Sequence, residues 1–272
     1  MLTVGSLFAG IGGIESGLER TGGFQTVWQV EIDEYATKVL EKRWPNARRW
    51  KDIRTFPSEP IEEWKVDVIT GGFPCQEISI AGNGVGLAGD RSGLWWDMLR
   101  CVRVLKPQFV IIENVAELIV IGLPAILSSL AEVGYDAEWA TLSARQFGAV
   151  HRRQRVFVVA YPAGVRWTTR GNRMGLEEDY SGWKRFPETY SCQNGWDVQR
   201  WIVETYSALG FPPGDSTTKR VVDGIPNRLD RLRVLGNSVL PRIGQWIGKR
   251  ILSSFERRGA ECGSTSAPLP QP

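Results

Sequence analysis

Residues Leu2 to Phe8 read as a buried strand that breaks into the turn Ala9-Gly10-Ile11-Gly12-Gly13 and continues as a helical segment through Arg20. Strand, glycine turn and helix in that order is the context in which a glycine-rich loop signals nucleotide binding. Glycine lets the backbone approach a ligand closely, and the start of a helix offers N–H groups that no carbonyl uses. The same alternation recurs along the chain. Val27 to Glu31 reads as a strand, and Asp33 caps a helix whose apolar positions Ala36, Val39 and Leu40 share a face before Pro45 stops it. Val66 to Thr70 and Phe109 to Ile112 are short apolar runs of the kind buried in parallel sheets. Helices are expected over Gly93 to Leu105 and Leu123 to Val133, the second closed by Gly134, and Val156 to Ala160 is a late strand. Alternating strands and helices imply an α/β fold with a mostly parallel, doubly wound, Rossmann-like sheet.

The texture changes after Pro162. Up to about Asn227, Trp, Gly and Arg residues are scattered without clear periodicity; regular character returns at Leu229, and Pro241 to Glu256 reads as a terminal helix. The expected organisation is a catalytic and cofactor-binding domain over residues 1–161 and a short variable region over 162–227. Residues 228–257 return to the first domain, and the Gly-, Ser- and Pro-rich tail 258–272 is expected to be disordered.

The 272 residues suffice for one α/β domain with a small appendage, and 42% hydrophobic against 23% charged residues is ordinary for a globular chain. A formal charge of +3 gives no global electrostatic argument for nucleic acid, so a local basic face would have to supply one. No uninterrupted apolar stretch is long enough for a membrane span, and the start of the chain lacks the pattern of a signal peptide, so a cytoplasmic protein is expected. Cys75, Cys101, Cys192 and Cys262 form no C-x-x-C pair, which argues against a zinc site or a disulfide framework. His151 is the single histidine, so multi-histidine metal sites are excluded and a Ser-His-Asp triad is disfavoured; no metal is expected.

Glu31 ends the second strand, where a carboxylate can accept hydrogen bonds from both ribose hydroxyls of a nucleoside. Asp52, after a third candidate strand, is placed to take an adenine amino group, and Phe8 and Ile32 to sandwich the ring. These residues alone leave NAD and S-adenosylmethionine both open. The segment Gly71-Gly72-Phe73-Pro74-Cys75-Gln76-Glu77-Ile78-Ser79 leaves the next strand at the sheet edge where open α/β folds bind ligands. There Cys75 is either an exposed nucleophile or one more small buried side chain. Glu113-Asn114-Val115 is presented at another strand end. A carboxyl beside a thiolate in a closed pocket keeps its proton to higher pH and can donate it, whereas an isolated strand-end Glu merely caps a turn. In His151-Arg152-Arg153-Gln154-Arg155, Arg153 and Arg155 share one face of an extended segment. Two guanidinium groups there favour a thiolate and can hold a phosphate or a base carbonyl, or else form a solvated basic run.

Taken together these segments resemble the DNA cytosine-5 methyltransferases. Ser6 to Gly13 is similar to that family's cofactor motif. Gly71 to Ser79, continued through Gly82, Gly86-Leu87 and Arg91-Ser92-Gly93-Leu94-Trp95, is similar to its catalytic loop. Glu113-Asn114-Val115, Arg152 to Phe157 and Gly236-Asn237-Ser238-Val239 match later motifs in the family's order, and the resemblance covers residues 1–161 and 228–252. His151 stands where the family usually carries Gln. The resemblance implies methyl transfer from S-adenosylmethionine to C5 of a cytosine flipped out of double-stranded DNA. It implies Cys75, Glu113, Arg153 and Arg155 as the catalytic set. For the cofactor it implies Phe8, Ala9, Gly10, Gly12, Gly13, Glu31, Ile32, Asp52, Ile53, Pro74, Asn237 and Ser238. In the implied chemistry Cys75 adds to C6 of the ring, Glu113 engages N3 and the exocyclic amine, Arg155 holds O2 and Arg153 helps fix the pocket. A glycine-rich lid over Ile78 to Leu94 and a monomeric protein, with a cognate restriction endonuclease as a separate chain, belong to the same expectation. Trp167, Trp183, Trp196, Trp201, Arg166, Arg170, Arg173 and Lys184 of the variable region either contact DNA or pack a small subdomain. An RNA cytosine-5 methyltransferase and a catalytically inactive DNA-binding relative are the rival readings. An oxidoreductase leaves the Pro-Cys loop without a role.

Overall fold

The computed structural model describes residues 1–74, 93–149, 153–164 and 238–262. In chain order its main elements are β1 (Leu2–Leu7), α1 (Gly13–Glu19), β2 (Phe24–Val30), α2 (Glu34–Arg43), β3 (Arg48–Trp50), β4 (Val68–Gly71), α3 (Leu94–Leu105), β5 (Phe109–Val115), α4 (Leu118–Ile121), α5 (Leu123–Glu132), β6 (Tyr135–Ser143), β7 (Gln154–Pro162) and α6 (Pro241–Cys262). The strands form one seven-stranded sheet in the order β3-β2-β1-β4-β5-β7-β6. From β3 to β5 every pairing is parallel; β7 runs antiparallel to both β5 and β6. The mostly parallel, doubly wound sheet expected from the sequence is therefore what the chain builds.

The strands are buried on both faces, and successive side chains divide between two cores. Val110 and Ile112 of β5 pack with Trp95, Met98, Val102 and Ile126 of the α3–α5 side. Phe109 and Ile111 pack with Ile14 and Leu18 of α1 and with Ile243, Ile247 and Ile251 of α6 on the other. Asp33 caps α2 as its sequence position implies, accepting from the N–H groups of Tyr35 and Ala36.

Connectivity fixes where a ligand can sit. The chain winds outward through β1, β2 and β3, then returns to place β4 on the other side of β1, so the crossovers diverge between β1 and β4. Ligands bind at that switch point, beyond the carboxyl ends of the strands. Register aligns those ends: Leu7 lies opposite Gly71, and Gly71 opposite Ile112. Phe8 and Gly72, just beyond β1 and β4, thus stand level with Glu113 of β5 in one row. Because β7 is antiparallel, its beginning comes to the same edge, with Arg155 opposite Val115.

The C-terminal helix reaches this edge by packing backbone to backbone on α1. A β-carbon on Gly17 would stand 2.1 Å from the Pro241 carbonyl oxygen, and one on Gly13 2.3 Å from that of Val239. Only glycine admits this approach, and it carries Ser238 and Val239 to the glycine turn. Gly17→Val is expected to force the two helices apart at a cost of about 1–3 kcal/mol or more, read as a lowered midpoint in thermal unfolding. An unchanged midpoint would contradict the packing argument.

Two expectations need revision. The helix expected to end at Glu256 continues to Cys262, so residues 258–262 are helical rather than disordered. Gly259 does not stop it, because one glycine inside a helix costs only about 1 kcal/mol relative to alanine. Strand β6 was not anticipated; it lies at the sheet edge, where its mostly half-buried residues alternate weakly. The variable region beyond Gly164, up to position 237, lies outside the described residues.

Candidate active site

A cleft of about 410 Å³ opens at the switch point, within the roughly 300–1,000 Å³ usual for small-molecule sites. Phe8, Ala9, Gly10 and Gly13 of the first turn line it, with Glu31 and Ile32 after β2, Gly72, Phe73 and Pro74 after β4, Glu113 on β5, Arg153 and Arg155, and Ser238. Residues from six separated stretches of sequence thus meet in one cavity. Cys75, bonded to Pro74, lies outside the described residues, as do His151, Arg152 and Asn237.

The glycine turn is held by its neighbours. Gly10 has φ +56°, a conformation that side chains rarely adopt, and a β-carbon there would meet no atom within 4 Å. The turn therefore leaves open space where a ligand would pass. Gly12 does something else: its φ is +77°, it caps α1, and a side chain on it would collide with the Trp44 ring at 2.3 Å. It is not among the cleft's lining residues.

Glu31 organises the turn as well as facing the cleft. One carboxylate oxygen accepts from the Gly10 N–H at 2.6 Å, the other from the Asp33 N–H at 2.8 Å. Burial raises its pKa, opposed by those backbone hydrogen bonds. Ile32, beside it, is 59% exposed, an apolar face left at the mouth of the cavity. A nucleoside fits this end: carboxylate for ribose, apolar side chains for the base, and a glycine turn that lets the backbone come close. Asp52 and Ile53 stand apart from it. Asp52 caps a short 3-10 turn and pairs with Arg54 at 2.7 Å, while Ile53 is buried in the core beside Phe56; neither lines the cleft.

At the other end, Glu113 is buried, and burial pushes its carboxyl above the usual range while the guanidinium groups of Arg155 and Arg153 pull it down. Arg155 Nε lies 3.0 Å from Oε1. The approach is that of an ion pair without hydrogen-bond alignment, so Oε1 keeps acceptor capacity. Arg153 is itself half-buried, which lowers its pKa. Gly72 lies close by: a β-carbon there would sit 2.9 Å from Glu113 Oε2, so a side chain at this position would displace the carboxyl.

Asn114, not singled out in the sequence, ties this acid to the neighbouring loop. Its Nδ2 donates to the Phe73 carbonyl at 3.0 Å, and its Oδ1 accepts from the Val115 N–H at 2.8 Å. Phe73 is buried against Trp95 with ring centroids 5.4 Å apart. The root of the segment that continues into Cys75 is thereby fixed to the strand carrying Glu113. A second unanticipated feature is a buried polar group in the cleft lining: the Ser6 hydroxyl donates to Glu15 Oε1, and Thr70 Oγ1 lies 3.1 Å from the same oxygen. The clue in the sequence was that a short helix between two buried strands, with glycines at 13 and 17, must be enclosed nearly all round, Glu15 included.

Residues 2–208 match the family described as C-5 cytosine-specific DNA methylase. Among curated relatives, the Type II methyltransferase M.Bsp6I of Bacillus sp. (strain RFL6) is 35% identical over 167 residues, 59% of this chain and 52% of that protein. The Type II methyltransferase M2.BsuMI of Bacillus subtilis (strain 168) is 27% identical over 320 aligned positions, covering 94% of this chain and 78% of that one. The chain spans about half the length of relatives such as M.Bsp6I. Among solved structures, a mutant of Spodoptera frugiperda DNMT2 superposes with a TM-score of 0.63 at 16% identity, covering 93% of this chain and 100% of that one. At that identity the likeness is one of fold. No helix among the described residues is long and apolar enough to cross a membrane.

Proposed function

We propose, from the premise that this chain belongs to the C-5 cytosine-specific DNA methylase family, that it methylates C5 of a cytosine flipped out of double-stranded DNA, with Cys75 as nucleophile. The observation that carries the reading is the meeting of Glu31 and the glycine turn with Glu113, Arg153 and Arg155 in one cleft whose wall ends at Pro74, the residue before Cys75. A nucleoside-type ligand at one end and a base at the other would then share a cavity, which a transfer between them requires.

Phe8, Gly10, Glu31, Ile32 and Ser238 would hold S-adenosylmethionine, which when bound would supply an electrophilic methyl group. C5 of cytosine is too weak a nucleophile to take it unaided. Addition of the Cys75 thiolate to C6 makes C5 electron-rich, dividing one hard substitution into easier steps. Glu113, its carboxyl pKa raised by burial, protonates or hydrogen-bonds N3 as negative charge develops on the ring and contacts the exocyclic amine. Arg155 holds the O2 carbonyl, and Arg153 fixes the pocket around the pair. Loss of the C5 proton and expulsion of Cys75 restore the aromatic ring. The region 162–227 supplies recognition of the target sequence, residues 1–161 and 228–257 the catalytic domain. The enzyme acts as a cytoplasmic monomer, and a cognate endonuclease is a separate protein.

Bisulfite sequencing of DNA from cells expressing the chain tests the function. Protected cytosines in one recurring sequence are expected; a pattern identical to that of cells lacking the protein would overturn the proposal.

Glu31 supplies a prediction of its own. In Glu31→Gln the amide NH₂ must face the N–H of either Gly10 or Asp33, where an acceptor is now required. The turn loses its anchor and the ribose an acceptor. Affinity for S-adenosylmethionine is expected to fall by about 1.5–3 kcal/mol, measured by calorimetry; equal affinities would show that Glu31 does not hold the cofactor.

A further inference from the structure

We infer that Glu15, held by Ser6 and Thr70, forms a subsite for a cation at the floor of the cleft and receives the positively charged methionine end of the methyl donor. The inference rests on the cofactor reading above and concerns residues to which that reading gives no role.

Glu15 is only 2% exposed, yet it is one of the residues lining the cleft. It does not sit there by default. Ser6 on β1 and Thr70 on β4 are directly paired across the sheet, and both hydroxyls reach the same carboxyl oxygen. The carboxyl is thus fixed from two strands. Among the described residues the charged neighbour that acts on it is Glu19, a turn further along the same helix and of like sign. A buried carboxyl with hydrogen bonds but no cation is costly, and the cost falls when a cation arrives.

Position gives the cation its identity. Across the sheet the order is β2, β1, β4, β5, so the Ser6–Thr70 pair lies between Glu31 at the end of β2 and Glu113 on β5. Neighbouring strands are about 4.8 Å apart, so a ligand whose ribose meets Glu31 and whose transferable group approaches the base beside Glu113 must cross β1 and β4. The part of S-adenosylmethionine that follows the ribose carries two positive groups, the sulfonium and the α-ammonium. Burial raises the pKa of Glu15, and a cation beside it favours the ionised carboxylate, so cofactor binding draws the group toward its charged form.

Calorimetry on the full chain with three ligands tests this. S-adenosylmethionine carries both charges, S-adenosylhomocysteine keeps only the ammonium, and 5′-methylthioadenosine keeps the nucleoside and lacks both. Glu15→Gln preserves shape and hydrogen bonding while removing the charge. It is expected to weaken S-adenosylmethionine at least about tenfold and to leave 5′-methylthioadenosine unchanged. A loss shared by S-adenosylhomocysteine identifies the ammonium as the partner, a loss confined to S-adenosylmethionine the sulfonium; either supports the subsite. Equal changes for all three ligands, or none, would overturn it. Wild-type protein that binds none of the three overturns the cofactor reading itself and the subsite with it. Thr70→Val, which removes one donor to the carboxylate, is expected to give the same contrast at smaller size and serves if Glu15→Gln does not fold.

Discussion

Cys75→Ser is expected to bind S-adenosylmethionine as the wild type does and to lose methyl transfer by at least about 10⁴-fold, the scale on which removal of an enzymatic nucleophile acts. The reason is chemical rather than steric. Serine is nearly isosteric, but its hydroxyl ionises far less readily than a thiol and needs a base to become nucleophilic. Glu113 on the neighbouring strand has its pKa raised by burial and in the proposed chemistry serves as a proton donor, so it is unsuited to that task. The effect should also be confined to chemistry. Pro74 lines the cleft, and Phe73 is pinned by Asn114 and packed on Trp95, so the loop's root does not depend on the sulfur. Calorimetry for the cofactor and incorporation of labelled methyl into duplex DNA separate the two. Turnover near the wild-type rate would remove Cys75 from the mechanism.

Glu113→Gln is expected to lower the rate by about 10²–10⁴-fold, the range for loss of a positioned general acid. Its pH profile carries the sharper signature. In the proposed chemistry the working form of Glu113 is the protonated one, and burial outweighs Arg155 and Arg153 in setting its pKa above the ordinary carboxylate value. As pH rises through that raised pKa the proton is lost, and the rate should fall with it. Glutamine cannot ionise, so the variant should keep low activity without that falling limb. A limb of the same position in both proteins would assign it to another group.

What could be read in advance follows from which interactions are local. The strands β4 and β5 stood out because strands buried on both faces are short apolar runs, β1 and β2 because they flank the glycine turn and its helix, and their ends placed Phe8, Glu31, Glu113 and Pro74 at one edge without knowledge of packing. The Asp33 cap was legible because capping involves only the next few residues. Strand β6 was hidden by its place at the edge, where burial and therefore alternation are weak. Asp52 was assigned to adenine from its position after β3, but in the structure it accepts from its neighbour Arg54, a local pairing that strand order does not reveal. Glu15 and Asn114 owe their surroundings to residues 55 and 41 positions away, Thr70 and Phe73. Such contacts exist only once the sheet has ordered its strands.

The most direct test of the account is a trap. Duplex DNA carrying 5-fluorocytosine at the target position is incubated with the protein and S-adenosylmethionine, then the mixture is denatured and the protein resolved by mass. Addition at C6 and methylation at C5 can proceed, but fluorine cannot leave C5 as a proton does, so Cys75 cannot be expelled. A protein–DNA complex that survives denaturation, with its cross-link in the peptide containing Cys75 and absent from Cys75→Ser, is the predicted result. No such complex under conditions that methylate ordinary DNA, or an equal yield from Cys75→Ser, would contradict it.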